Sequence, residues 1–428
     1  MKLETVYSYF LKSAGICTDT RNIEKGCLFV ALRGDNFNGN TFTQQALDKG
    51  AFKVIIDDIS QHKNTGETIL CKNSLVLLQK LATYHRQKLN IPIIALTGSN
   101  GKTTTKEIIN AVLSKKFKTT ATQGNLNNHI GVPLTLLSMT KDTQICVVEM
   151  GANHKKEIKA LCKIAEPNFG YITNFGKAHI EGFGSIQGVI EGKSELYKYI
   201  TKEKGTLFFN ADDSIQSKLL GNHTAKIGFS QEKKNFYTLK QIDTNPYVAL
   251  QAAKKTIKSN LIGGYNFTNI CAGVVIGDFF DIPLNDIKQA IEEYLPTNNR
   301  SQLITKGNTQ IILDAYNANP TSMMAALQHF NTIRGDSKMV FLGDMFELGE
   351  TAQKEHQKIV DYLTNSNIDE IYLIGSYFSK TKSRVKNIYQ FTSFEALKKA
   401  FNNIIAEDTT ILIKASRSMA LERILPML

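Results

Sequence analysis

The stretch Ile91–Leu113, IPIIALTGSNGKTTTKEIINAVL, sets a lysine and a run of threonines directly behind two glycines. Ile91, Ile93, Ile94, Ala95 and Leu96 form a short apolar run suited to a buried strand. Gly98, Ser99, Asn100, Gly101, Lys102 and Thr103 follow without a spacer. Ile108, Ile109, Val112 and Leu113 recur at helical spacing, so a helix should open just after the glycines. Strand, glycine loop and helix N-terminus make a phosphate cradle: backbone N–H groups converge on an anion, and the helix dipole adds partial positive charge. Lys102 would reach the β/γ-phosphates of a nucleotide triphosphate, and the Thr103 hydroxyl would ligate Mg²⁺. The match is to G-x-x-G-K-T, with Leu96 where the longer pattern has glycine. A glycine-rich turn ahead of an ordinary helix would leave Lys102, Thr103 and Thr104 unexplained.

Other residues gain meaning from their distance to this loop. Glu149 ends the apolar strand candidate Ile145–Met150, where an acidic side chain can hold the nucleotide's Mg²⁺; the alternative is a solvated strand-end carboxylate. His179 follows a strand ending at Asn174 and is flanked by Gly182 and Gly184, which leaves ligand and structural roles equally open. Lys193 reads as one helix-surface lysine among many, since neither composition nor spacing singles it out. Asn266 and Asn269 lie near the start of an apolar helix, with capping as the default role and base or ribose contact as the alternative. Asp314–Pro320 and Lys414–Ser418 each follow a strand candidate. Their Asn, Ser, Lys and Arg side chains suit a carboxylate- or phosphate-bearing ligand at the mouth of an open sheet.

The elements that must position these residues fall into three blocks. Residues 1–88 hold short strand candidates (27–32, 54–57, 68–71) and a helix from Ser74 to about Lys88. Residues 89–301 alternate strands and helices in the manner of a parallel sheet built from βαβ units. Residues 302–428 restart the pattern, with strands expected at 309–314, 338–343, 369–375 and 410–414 and helices at 321–333 and 351–363. No G-x-G-x-x-G follows any strand of this last block, so dinucleotide binding is unsupported. Tyr294–Arg300, with Pro296 and two asparagines, suits a hinge between the second and third blocks.

At 428 residues, 42% hydrophobic and 21% charged, the chain has the composition of a globular protein of two or three domains. No stretch approaches the ~20 continuous apolar residues that span a bilayer, and the N-terminus MKLETVYSYFLKSAG has no secretory pattern. The six cysteines include no C-x-x-C pair. A cytoplasmic protein with reduced thiols, several of them in apolar strands, is expected. The net charge of +12 is dispersed over lysine pairs without an aromatic-interleaved basic stripe. It therefore points to a solvated surface that attracts polyanionic small substrates rather than to nucleic acid.

Taken together, the motifs Thr97–Thr104, Glu149–His154, His179–Gly184, Asp314–Pro320 and Lys414–Arg417 resemble, in order and spacing, those of the Mur ligase family. Thr18, Asp19, Thr20 and Arg21, then Leu28–Gly34 with Arg33, extend the resemblance to that family's uridine-nucleotide-binding domain. Gly124–Asn128, with Asn125, Asn127 and Asn128, Asp314–Pro320 and Gly343–Gly349 are similar to the branch that adds D-alanyl-D-alanine to UDP-N-acetylmuramoyl-tripeptide. Tyr265 stands where many members have His, Ala415 where the last motif often has Gly, and Asn298-Asn299-Arg300 where Gly-Arg is usual.

The resemblance implies an α/β protein of three domains: a small UDP-binding N-terminal domain, a central parallel-sheet ATPase domain and a C-terminal Rossmann-like domain. It implies a monomeric ATP-dependent ligase that works through an acyl phosphate. Thr103 and Glu149 would hold one Mg²⁺ and His179 would help hold a second, while Lys193 would carry a CO₂-derived carbamate. Asn266 and Asn269 align with adenine-contacting residues, and Arg300 and Asp314 with residues near the phosphates and ribose. Asn317, Asn319, Lys414, Ser416 and Arg417 fall to the peptide end. The alternatives are a sister amide ligase, such as another Mur enzyme or a folylpolyglutamate synthase, and a nucleic-acid-associated P-loop ATPase.

Overall fold

The computed structural model describes residues 2–242, 245–335, 337–401 and 408–428. Its three main sheets correspond to the three blocks of the sequence. The first is parallel throughout, in the order Ile16–Cys17, Leu28–Val30, Lys53–Ile56, Thr68–Leu70. Side chains alternate across it as the two-residue period of a strand requires. Phe29, Val54 and Ile56 pack with Ala46 on one face. Leu28, Val30 and Ile55 pack on the other with Leu78, Leu81 and Ala82 of the helix Ser74–Leu89.

That helix joins the first block to the second. Asn73 caps it by accepting from the Val76 N–H at 2.9 Å, and Asn90 ends it at φ 47°. Its buried Arg86 donates to the Ala165 and Glu166 carbonyls and to Asn168 Oδ1, so a guanidinium closes the end of a neighbouring helix. Its leucines share one core with Val148, Ile158 and Leu161 of the central block.

The central sheet runs Lys255–Ile262, Tyr247–Ala252, Tyr237–Ile242, Lys226–Ser230, Thr206–Asn210, Phe169–Ile172, Ile93–Thr97, Ile145–Glu149, Thr119–Ala121. Every residue of Ile93–Thr97 and Ile145–Glu149 is buried, the pattern of a strand covered on both faces. The chain leaves Ile93–Thr97 for two strands on one side and then crosses to Phe169–Ile172 on the other. This reversal opens a crevice at the strands' carboxyl ends. The sheet is parallel from Thr119–Ala121 through to Tyr237–Ile242, as βαβ alternation predicts. Its far edge differs, because the last three strands pair antiparallel. Their half-exposed, lysine-bearing residues obscure the apolar signal that marks the buried strands.

The third sheet runs Gln302–Lys306, Thr309–Asp314, Thr409–Lys414, Ser337–Gly343, Glu370–Ile374, Ile388–Phe391. Only its first pair is antiparallel. Thr409–Lys414 inserts beside Thr309–Asp314 with Asp314 opposite Lys414, so the two polar strand-end loops lie side by side. Asn319 opens the helix Pro320–Thr332 with a reciprocal capping box to Ser322. The cysteines depart in part from expectation: Cys162 and Cys271 are buried in helices rather than strands.

His356 is fully buried in the third block. Its Nε2 accepts from the Met345 N–H at 2.9 Å, while Nδ1 lies 2.7 Å from the Ala352 carbonyl. Both contacts use a neutral ring, and burial pulls the imidazole pKa below 6.5 despite the nearby Asp344. Burial lowers His85 and His329 likewise. Such groups bind more protons unfolded than folded, so stability is present above the unfolded pKa and lost as pH falls through the folded one. Melting temperature should therefore drop between pH 7.5 and 5.5, and His356→Gln should flatten that slope. A Tm that holds or rises over this range contradicts the assignment.

Candidate active site

A cavity of about 860 Å³ lies at the carboxyl ends of the central strands, with the third block forming its opposite wall. The loop after Ile93–Thr97 is shaped by two positions where only glycine fits. At Gly98, φ is 148° and a Cβ would fall 1.9 Å from Thr173 Oγ1; at Gly101, φ is 76° and a Cβ would meet Asn269 Oδ1 at 2.6 Å. Asn174, which the sequence reading did not single out, pins the loop from below. It accepts from the Asn100 N–H at 3.1 Å and donates to the Asn100 carbonyl at 3.1 Å, and Thr173 Oγ1 donates to the same carbonyl at 2.6 Å. Ser99 Oγ donates to the Gly176 carbonyl. The helix Lys102–Leu113 then starts at Gly101, so its free N–H groups open into the cavity. Lys102 Nζ folds back onto the Gly98 and Ser99 carbonyls at 2.7 and 3.3 Å, contacts that an incoming anion can replace. Burial pulls the Lys102 pKa below that of an ordinary lysine, with Glu149 opposing and Arg300 reinforcing the shift.

Glu149 is 1% exposed, which overturns the solvated strand-end reading. Its N–H donates to Thr122 Oγ1 at 3.0 Å and its Oε1 accepts from Asn127 Nδ2 at 2.7 Å, while Oε2 is buried with no partner. An unpaired carboxylate oxygen in the interior is costly unless a cation compensates it. With the buried Thr103 hydroxyl it offers hard oxygen donors of the kind Mg²⁺ takes. Among the described residues no cluster of three His, Cys, Asp or Glu side chains makes a complete cage. Such an ion would draw its other ligands from phosphate and water.

His179 lines the same cavity from a left-handed backbone position, φ 54°. Its Nδ1 lies 2.5 Å from Glu347 Oε2 of the third block. The imidazole holds the Glu347 carboxyl below the usual carboxylate range. Lys193 is not a surface residue: it is 0% exposed, with Nζ 2.9 Å from the Ala152 carbonyl and 5.2 Å from the Phe183 ring centroid. Burial, reinforced by the charge of Lys102, pulls its pKa well below the lysine range. The signal that could have found it is its helix face: Gly188, Val189 and Gly192 are buried with it, at helical spacing.

Neither Asn266 nor Asn269 caps its helix through a side chain. Asn269 accepts from Thr105 Oγ1 at 3.0 Å and donates to Asn266 Oδ1 at 2.8 Å, and Asn266 donates to the Ile262 carbonyl. The two asparagines thus stitch the phosphate helix to the helix Phe267–Phe279 while lining the cavity. Asn125, Asn127, Asn128 and Thr104 are lining residues as well. Asn128 also caps the next turn through the Ile130 and Gly131 N–H groups.

From the connector Arg300, and from the third block Asp314, Asn317, Asn319, Lys414 and Arg417, reach the cavity wall. Asp314 pairs with the buried Lys414 and accepts from the Ser301 N–H. Asn319 Nδ2 donates to Asn100 Oδ1 at 2.7 Å, which ties the third block directly to the phosphate loop. Ser416 is instead a buried clip: its Oγ accepts from the Phe346 N–H and donates to the Ala318 carbonyl. Tyr316, passed over in the sequence, carries both Arg300 and Arg417 against its ring.

Thr18, Asp19, Thr20, Arg21 and Arg33 are not among the cavity's lining residues. Asp19 caps the turn Thr20–Asn22 and takes the Arg21 guanidinium through both oxygens. Arg33 Nε donates to Asp57, which the fully buried Asn40 holds in place at 2.8 Å. Asn40 too escaped the sequence reading, because its burial depends on the strand-end Asp57 folding over it.

The chain matches the model of the Mur ligase middle domain over residues 96–277 and that of the Mur ligase glutamate ligase domain over 299–417. It is 34% identical to the UDP-N-acetylmuramoyl-tripeptide–D-alanyl-D-alanine ligase of Bacillus subtilis, over 96% of this chain and 92% of that one. It is 32% identical to the Escherichia coli ligase of the same name, with the same coverage. The crystal structure of MurF from Acinetobacter baumannii superposes with a TM-score of 0.87 at 29% identity, covering 100% of this chain and 98% of that one. MurF from Thermotoga maritima, solved in complex with ADP, gives 0.85 at 27% identity over 98% and 97%. The three-block α/β architecture agrees with these relatives along essentially the whole chain, and the chain belongs to the UDP-N-acetylmuramoyl-tripeptide–D-alanyl-D-alanine ligases of the Mur ligase family.

Proposed function

We propose that this chain uses ATP to join D-alanyl-D-alanine to the terminal carboxylate of UDP-N-acetylmuramoyl-tripeptide, releasing ADP and phosphate in cytoplasmic peptidoglycan precursor synthesis. The observation that carries the reading is a single cavity walled by the phosphate loop on one side and by the Asp314 and Lys414 strand-end loops on the other. A transferred phosphoryl group and a peptide carboxylate can meet there. The domains are taken as residues 1–88, 89–301 and 302–428, acting in a monomer, with Thr18–Arg21 and Arg33 assigned to the uridine nucleotide.

A carboxylate is a poor electrophile, and its approach to the γ-phosphate brings like charges together. In this reading the Lys102 ammonium and the N–H groups of the loop offset that repulsion and orient the phosphate. The carboxylate oxygen attacks phosphorus and the bond to ADP breaks, leaving an acyl phosphate. The dipeptide amine then attacks the acyl carbon, and the tetrahedral intermediate expels phosphate to leave an amide. Glu149 and Thr103 would hold Mg²⁺, which neutralises phosphate charge when bound, with His179 assigned to a second ion. Asn266 and Asn269 are placed at the adenine, Arg300 and Asp314 near the phosphates and ribose. Asn125, Asn127, Asn128, Asn317, Asn319, Lys414 and Arg417 are placed around the peptide, with Ser416 supporting them.

Lys193 is assigned as a carbamate. The neutral amine that burial favours adds CO₂ and loses a proton, converting a cation into an anionic ligand beside Glu149.

Phosphate release measured with each substrate omitted in turn tests the reading. Release should require ATP, the tripeptide nucleotide and D-alanyl-D-alanine together, whereas release stimulated by nucleic acid, or with another amino acid in place of the dipeptide, would overturn it. Lys102→Ala should lower turnover by at least about 10²–10³-fold, with Tm held within about 4 °C. Lys193→Ala should be severely impaired and partly restored by acetate or formate. In ¹³C-bicarbonate the wild type should show a carbamate NMR signal that the variant lacks, and absence of both signal and rescue removes the assignment.

A further inference from the structure

We propose that Tyr316 is a positioning residue for the ligation, an aromatic seat that holds both Arg300 and Arg417 against its ring where the phosphate loop faces the last-block loops. This rests on the function proposed above. The Arg300 guanidinium carbon stands 3.8 Å from the Tyr316 ring centroid and that of Arg417 stands 5.4 Å from it. All three residues line the cavity.

They arrive from three segments. Arg300 lies on the connector from the central block, where Asn298, Asn299 and Ser301 all take positive φ. Tyr316 follows Asp314, and its N–H donates to the Asn299 carbonyl at 2.8 Å, so the ring and the connector are locked in one register. Arg417 begins the turn after Thr409–Lys414, and its N–H approaches Asn317 Oδ1 at 3.4 Å.

Two guanidiniums in one cavity repel each other. The usual remedy is a carboxylate between them, as Asp314 provides for Lys414. That remedy cancels the positive charge an anionic substrate needs. An aromatic face attracts each cation through its quadrupole and adds no net charge. Among the described residues Arg300 has no ion-pair partner, and its buried Nε has no hydrogen-bond partner. It lines the same cavity as the phosphate loop Ser99–Thr103. Arg417 keeps one contact, Nη1 to Glu422 at 2.6 Å, on the side of the last loop. Tyr316 thereby holds Arg300, whose charge no carboxylate cancels, in one cavity with Arg417, whose charge Glu422 already offsets in part, and it is the Arg300 charge that the phosphoryl group and carboxylate can meet.

The contact is made by the ring face, which separates this role from proton transfer by the hydroxyl. The wild type is first shown to ligate with all three substrates; if it joins nothing, the functional reading fails and the seat is not at issue. Given an active enzyme, Tyr316→Phe should stay within about twofold of wild type. Tyr316→Leu should lose on the order of tenfold or more in kcat/KM for ATP and for the tripeptide nucleotide, leaving KM for D-alanyl-D-alanine unchanged. Where Leu lowers Tm, the site filled with mono-, di- and trifluorophenylalanine gives near-isosteric rings of falling quadrupole, and log kcat/KM should decline stepwise with fluorine number. Wild-type activity in Tyr316→Leu, a Phe variant as impaired as Leu, a KM for D-alanyl-D-alanine raised as much as those for ATP and the tripeptide nucleotide, or indifference to fluorination would each overturn the proposal.

Discussion

Glu149 ends a strand whose every residue is buried, and one of its carboxylate oxygens faces the interior without a hydrogen-bond partner. Burying such an anion is affordable only where positive charge arrives to meet it. The surroundings are arranged around that demand. Thr122 fixes the backbone of Glu149 and Asn127 takes its other oxygen, while the buried Lys106 holds the Thr122 carbonyl at 2.7 Å. The charge of Glu149 is felt at both Lys102 and Lys193, and that of Lys102 is felt at Lys193. Both lysines are instead tied to backbone carbonyls, which keeps them from collapsing onto the carboxylate. The site is thus an unbalanced charge array held apart by neutral hydrogen bonds, ready for a polyanion and its counterions.

The second constraint is the seating of the third block on the central one. Asn319 is committed twice, capping its own helix through Oδ1 and gripping Asn100 through Nδ2, so one side chain ties the start of the helix Pro320–Thr332 to the phosphate loop. Lys177 adds an ion pair to Glu355 and a backbone bond to Thr321 Oγ1, and the Glu181 N–H reaches the Glu347 carbonyl. Most of these contacts come from loops at strand ends, where the sheet leaves backbone and polar groups free. The first block, by contrast, joins the central one through an apolar helix face and the buried Arg86, away from the cavity. The central and third blocks therefore face each other across one cavity, while the polar loop of the first block lies outside its lining.

The strand, glycine loop and helix at Ile93–Leu113 were legible because burial of a parallel strand and the period of the following helix are written in contiguous residues. The same holds for Ile145–Glu149, Thr309–Asp314 and Thr409–Lys414, whose strand ends deliver Glu149, Asp314 and Lys414. The antiparallel edge was not legible, since strands with one exposed face and many lysines carry a weak apolar pattern. Asn266 and Asn269 lie at the start of the expected helix, but the default capping role does not hold. Their side chains bond to Thr105 and Ile262, partners that no local capping rule specifies.

What the sequence determined by itself was the set of local devices: glycines that admit positive φ, strands that must be covered on both faces, and polar residues at the points where those strands stop. Their order and spacing along the chain carry the resemblance to the Mur ligase family. Tertiary structure alone decided that Lys193 is enclosed, that Glu149 keeps an unpaired oxygen, and that Tyr316 sits beneath two arginines. Burial of a polar group is not a property of its neighbours in sequence; it is set by which distant surfaces close over it, and only the folded sheet order brings those surfaces together.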